Sequence, residues 1–146
     1  MKRQILIADD EKIVVRSCMR ILSTDEFEID SACNGLEAIE KLSKKNYDML
    51  ILDIKMPKMN GIEVLQRVKE THPDIDVIMI TGLNQIETAV QAMKMGAFDY
   101  LSKPFDPDEL ELVVSRAFER RQLLQENLNL KSEVSARYSF ENIIGP

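Results

Sequence analysis

Five side chains of this 146-residue sequence, those of Asp9, Asp10, Asp53, Thr81 and Lys103, suit the handling of a phosphoryl group beside a divalent cation. Carboxylate oxygens bind hard cations, and a carboxylate that attacks phosphorus becomes an acyl phosphate. An ammonium is a compact countercharge for one phosphoryl oxygen, and a hydroxyl can hydrogen-bond another. Singly, each residue has an ordinary explanation. Aspartates after strands form turns or cap helices, and Lys-Pro is a common loop dipeptide. Their placement argues otherwise. Ile5-Leu6-Ile7 leads to Asp9-Asp10, Met49-Leu50-Ile51-Leu52 to Asp53, Val77-Ile78-Met79-Ile80 to Thr81, and Phe98-Asp99-Tyr100-Leu101 to Lys103.

These runs read as β-strands, and helical patterns alternate with them. Apolar residues recur with helical spacing at Val14, Cys18 and Ile21; at Leu36, Ile39 and Leu42; at Ile62, Leu65 and Val68; at Ile86, Ala89, Val90 and Met93; and at Leu110, Val113, Val114 and Ala117. Five alternations predict an α/β fold with a parallel sheet covered by helices on both faces. Runs one, three and four are continuously apolar, as central strands are. The second run (Phe27 to Cys33) and the fifth alternate, as half-exposed edges do. Edges at two and five predict a doubly wound, flavodoxin-like sheet of order 2-1-3-4-5. Its switch point lies between strands one and three, which carry Asp9, Asp10 and Asp53.

Composition narrows the function. Hydrophobic residues make up 45%, enough for one core, and the net charge of −6 argues against direct nucleic-acid binding. No apolar run reaches the ~20 residues of a membrane helix, and Met1-Lys2-Arg3 leads straight into a strand without a signal peptide. A cytoplasmic location is expected. Cys18, in a predicted helix, and Cys33, in a predicted strand, are expected to be small buried apolar residues rather than a disulfide or metal site. His72 precedes Pro73 and is expected to be exposed in a loop, without a metal.

Asp106-Pro107-Asp108 marks a helix start, with proline early and acids near the positive dipole end. Neither proline nor glycine occurs from Glu109 to Ala136, and a helix of that length spans ~40 Å. Its second half, with Leu123, Leu124, Leu128, Leu130 and Val134 among charges, predicts a short paired linker; a solvated single helix is the alternative.

The segments Ile7-Ala8-Asp9-Asp10-Glu11, Leu52-Asp53-Ile54-Lys55-Met56-Pro57-Lys58-Met59-Asn60-Gly61, Thr81-Gly82 and Lys103-Pro104-Phe105 together resemble the receiver domain of two-component response regulators, the CheY-like superfamily. The resemblance covers residues 1 to about 120. It implies that Asp53 accepts a phosphoryl group from a sensor histidine kinase in a Mg²⁺-dependent reaction. The metal ligands would be Asp9, Asp10, Asp53 and the Lys55 backbone carbonyl, with Thr81 and Lys103 assisting. It also implies a cis Lys103–Pro104 bond, and a switch in which Tyr100 turns inward as the Thr81 hydroxyl moves. Lys55 and Leu83 occupy two positions that influence hydrolysis of the acyl phosphate in this family. Neither side chain suits orienting a water, so slow self-dephosphorylation is expected.

Ser139-Phe140-Glu141-Asn142-Ile143-Ile144-Gly145 resembles the opening of the AAA+ ATPase domain of NtrC-type activators. No Walker motif is present. The expected organisation is a receiver (1–120), a helical linker (121–138) and the start of an absent ATPase domain (139–146). Phosphorylation would then control dimerisation, through the linker or through the face made by helix four, strand five and helix five. Val114, Ala117, Leu124 and Leu128 form the candidate linker seam. A stand-alone regulator acting by protein–protein contact is the alternative. A haloacid-dehalogenase-type phosphatase would need an aspartate where Lys55 stands. A receiver that no longer takes phosphate would lack one of the acids, the threonine or the lysine.

Overall fold

A computed structural model describes residues 2–82 and 84–124. The linker residues beyond 124, the ATPase-like segment and Leu83 lie outside that range. The chain divides into two units at Val113/Val114. The first contains β1 (Arg3–Ala8), α1 (Lys12–Ile21), β2 (Phe27–Ala32), α2 (Gly35–Lys44), β3 (Met49–Asp53), α3 (Gly61–Thr71), β4 (Asp76–Thr81), α4 (Ile86–Lys94) and β5 (Asp99–Ser102). Residues 107–113 of this unit are helical, as are 114–124 of the second. Pro107 stands at the first helical position, where its missing N–H costs nothing.

The five strands form one parallel sheet in the order β2-β1-β3-β4-β5, the order that the apolar and alternating runs predict. Every residue of β3 is buried, and only the first residues of β1 and β4 are not, whereas β2 and β5 are largely half-exposed. Register sorts the side chains by face. Leu6, Leu50 and Val77 lie abreast, as do Ala8, Leu52 and Met79. All six belong to the cluster that also holds Ala38 and Leu42 of α2, Val64, Leu65 and Val68 of α3, and Ala92 of α4. Ile5, Ile7, Met49, Ile51, Ile78 and Ile80, fully buried, have the opposite parity and point to the other face.

Small residues carry more of the helix packing than periodicity suggests. In α2 the buried positions are Gly35, Ala38 and Leu42, while Leu36 is exposed. In α4 they are Ala89 and Ala92; Ile86, Val90 and Met93 are 60%, 46% and 37% exposed. Cys33 also departs from expectation. It lies one residue beyond β2 and is exposed, its Sγ donating to Glu37 Oε2 at 2.9 Å; only Cys18 is buried. His72 is half-buried as the C-cap of α3, its Nδ1 sharing a hydrogen bond with Thr71 Oγ1 at 2.9 Å. In the second unit Val114 and Ala117 are already buried in the single chain, while Leu124 is 49% exposed. Of the proposed seam, Leu124 is therefore the described residue open to a partner.

Candidate functional site

Asp9 follows β1 directly. Its backbone N–H donates to the Ala32 carbonyl (3.1 Å), and its Oδ1 accepts from the Glu11 N–H (2.9 Å), turning the chain into α1. Asp53 ends β3 beside Ile80, and the Ile54 N–H donates to the Ile80 carbonyl (3.1 Å). Thr81 ends β4 beside Ser102. The Lys103 N–H donates to the Thr81 carbonyl at 2.7 Å, which fixes where the lysine side chain begins. The Lys103–Pro104 peptide is cis, as the resemblance implies.

Asp9, Asp53 and Lys103 converge as the strand ends predict. Lys103 Nζ lies 3.2 Å from Asp9 Oδ2, 2.9 Å from Glu11 Oε1 and 3.5 Å from Asp53 Oδ2. Asp9, Asp10, Glu11 and Asp53 each present an oxygen, all within 4.8 Å of one another. Asp9 and Asp53 are buried, Asp10 and Glu11 exposed. Asp10, Glu11, Asp53, Lys55 and Lys103 line an open cleft of ≈ 560 Å³ together with Gly82 and Gln85.

Four carboxylates around one ammonium are under-compensated. Burial and the neighbouring Asp9 charge push the Asp53 carboxyl up to about 7, against opposing pulls from Lys103 and a backbone hydrogen bond with Lys55. Burial disfavours the Lys103 ammonium, but the hydrogen bond to Glu11 and the charges of Asp53 and Asp9 hold it above the ordinary lysine range. Asp9 Oδ2 is buried without a directed hydrogen bond. Its partner is the Lys103 ammonium at 3.2 Å, and an oxygen so placed in a ring of carboxylates suits a cation.

The Thr81 hydroxyl is fully buried and approaches β5 instead of the acids, with Oγ1 3.4 Å from the Leu101 carbonyl and 3.5 Å from Ser102 Oγ. Tyr100 is 39% exposed on the same strand. The wall of the cleft is held by a close approach. A Cβ at Gly61 would collide with the Asp53 carbonyl oxygen and lie 2.7 Å from Ile54 Cα. The Gly61 N–H donates to the Ile54 carbonyl at 2.7 Å, and Asn60 Oδ1 caps α3 through the Glu63 N–H at 3.0 Å.

Two residues of the site escaped the sequence reading. Glu11 gives Lys103 its shortest ion pair; its signal was the third acid of Asp9-Asp10-Glu11. Gln85 reaches back to the Gly82 N–H at 2.7 Å, and a lone glutamine before a helix carries no comparable signal.

Comparison with known proteins agrees with this geometry. Residues 5–115 match the family described as response regulator receiver domain. The chain is 36% identical to the regulatory protein AtoC of Escherichia coli K12 over 97% of its own length and 31% of AtoC. It is 37% identical to the E. coli K12 DNA-binding transcriptional regulator NtrC over 90% of its length and 28% of NtrC. The crystal structure of NtrX from Brucella abortus superposes with a TM-score of 0.83 at 35% identity, over 89% of this chain and 30% of that one. The chain thus spans about a third or less of these relatives. With the parallel sheet in receiver order and the acids, threonine and lysine at its strand ends, the chain belongs to the response regulator receiver domain family, among relatives of the NtrC, AtoC and NtrX type.

Proposed function

We propose that Asp53 is the phosphoacceptor of this receiver and that a sensor histidine kinase supplies the phosphoryl group. The supporting observation is a buried carboxylate under-compensated by charge at the edge of an open cleft, with Lys103 Nζ 3.5 Å away. An Asp53 oxygen attacks phosphorus as the N–P bond of a phosphohistidine breaks. The imidazole leaves with the bonding electron pair and takes up a proton, and an acyl phosphate remains. Lys103 balances charge on the transferred group, and Glu11 and Asp9 hold the ammonium in place.

The buried oxygen of Asp9, whose partner is the Lys103 ammonium, and the acidic ring fit Mg²⁺, which takes carboxylates, waters and phosphate oxygens in preference to a closed protein cage. Asp9, Asp10, Asp53 and the Lys55 carbonyl would hold it. When bound, it supplies charge neutralisation for the acids and the phosphoryl oxygens. Asp53 then stays ionised at neutral pH and keeps an oxygen for attack.

Output follows from two packings biased by the new charge. The Thr81 hydroxyl leaves the Leu101 carbonyl for a phosphoryl oxygen, and Tyr100 turns inward. Ile86, Val90 and Met93 of α4 and Tyr100 of β5 are exposed and offer a pairing surface; Leu124 offers a second. We read the chain as a cytoplasmic receiver (1–120) with a linker (121–138) and the start of an ATPase domain (139–146) whose transcriptional output it controls. No helix among the described residues is long and apolar enough to cross a membrane.

Intact mass after treatment with acetyl phosphate and Mg²⁺ tests the reading, with light scattering on the same samples. One phosphoryl group per chain is expected, decaying over minutes or longer, absent in Asp53→Asn and without Mg²⁺, and accompanied by a change of assembly. An unmodified wild type would contradict acceptance, and modification without a change of assembly would place the output elsewhere.

A further inference from the structure

Gln85 is the N-cap residue of α4, yet its side chain makes no hydrogen bond to the helix it begins. Its Oε1 turns back and accepts from the Gly82 N–H at 2.7 Å, while its own backbone N–H donates to the Gly82 carbonyl at 3.2 Å. Both residues line the cleft that holds Asp53 and Lys103. Gly82 follows Thr81 and lies two residues past Ile80, the register partner of Asp53. Its N–H is therefore a donor on the cleft wall, with no side chain of its own to cover it, and Gln85 occupies it.

A phosphoryl group on Asp53 changes the competition for that donor. It brings charged acceptor oxygens into the cleft, and a hydrogen bond to a charged acceptor is roughly twice as strong as one to a neutral amide oxygen. We propose that Gln85 is a displaceable occupant of the phosphoryl site: its amide oxygen holds the Gly82 N–H in the unmodified chain and gives it up when Asp53 is phosphorylated. The exchange does two things. It sets how readily the cleft accepts the group, because a bond must be surrendered first. It also undoes a tie between the end of β4 and the start of α4, one residue before exposed Ile86. The inference rests on Asp53 being the phosphoacceptor.

The test is titration of the chain with beryllofluoride in Mg²⁺, a phosphoryl mimic, followed through the Gly82 amide resonance. Gln85→Met keeps the length of the side chain and removes the amide oxygen. Loss of one neutral hydrogen bond from the free state predicts binding about threefold to tenfold tighter. The Gly82 resonance should move upfield before addition and coincide with wild type after it. Gln85→Glu, which keeps an acceptor and adds charge, should bind more weakly than wild type. A merely structural role for Gln85 moves neither the free-state Gly82 shift selectively nor the two variants in opposite directions. A wild type that binds while Gln85→Met gains nothing, or a Gly82 shift indifferent to the substitution, would overturn the role of Gln85 alone. A wild type that does not bind would overturn both this role and the function on which it rests.

Discussion

Two acidic clusters sit on this domain, and their chemistry differs although their residue types are the same. Along edge strand β2, Asp30 Oδ2 is 3.0 Å from Lys45 Nζ and accepts from the Tyr47 hydroxyl at 2.6 Å. Glu28 is 3.4 Å from the same ammonium and accepts from Gln4 Nε2 at 3.1 Å. The Tyr47 hydrogen bond, followed by Lys45 and against some burial, holds the Asp30 carboxyl below its ordinary range. In the cleft, one lysine pairs with three of four clustered acids, and Asp53 is pushed up to about 7. The first cluster is complete within the chain and serves the sheet edge, where paired charges discourage further strand addition. The second gathers more negative charge than the ammonium beside it balances, which is the imbalance the proposed cation would offset. Acid content does not separate a site from a surface; the balance of charge and hydrogen bonds does.

The largest effect expected concerns how the cleft is held. Gly61→Ala drives a methyl into the backbone of Asp53 and Ile54 and should cost about 2–3 kcal/mol in urea unfolding. Nothing on the β2 edge depends on so close an approach, so a comparable loss there would blur the contrast.

Isosteric neutralisation should have opposite signs in the two clusters. Because the folded pKa of Asp53 is raised to about 7, the metal-free protein has this contribution in full below about pH 4 and loses it as pH rises through about 7. Asp53→Asn should therefore raise metal-free stability at pH 8, with no gain at pH 4. Asp30→Asn should do the reverse. Its carboxyl is depressed when folded, so the substitution costs below about 1 kcal/mol at neutral pH, because solvent screens the pair, and the cost fades as pH falls through the folded pKa. Thermal melts across pH, without Mg²⁺, give both signs.

A smaller effect sharpens the distinction. Tyr47→Phe removes the hydroxyl that donates to Asp30 and should cost about 1 kcal/mol. The rate of phosphorylation by acetyl phosphate should stay unchanged, since the lost bond lies outside the cleft.

Strand order was legible because burial on two faces and on one face leave different patterns, as Met49–Leu52 and Phe27–Ala32 show. Most of the site was legible for the same reason: parallel strands end on one edge, so Asp9, Asp53 and Lys103 had to meet. Helix packing was less so. Leu36 matched the period, but a Cβ at Gly35 would strike the Met59 carbonyl. So close an approach hands the buried face to Gly35 and Ala38, and periodicity carries no distances. In α4 the stripe splits: Ala89 is buried with Ala92, while its larger members Ile86, Val90 and Met93 are exposed. Cys33 was placed one residue too far along β2, whose register ends at Ala8 and Ala32. Gln85 was invisible because its partner is a backbone N–H, which every residue but proline carries.

The central claim is that the under-compensated carboxylate, and no other acid, takes the phosphoryl group. Borohydride reduces an acyl phosphate to the alcohol, so reduction after acetyl phosphate and Mg²⁺, followed by peptide mass mapping, locates it. The account predicts homoserine at position 53 alone, with Asp9, Asp10, Glu11, Glu28 and Asp30 intact. Reduction at any of these while Asp53 stays unreduced would contradict it.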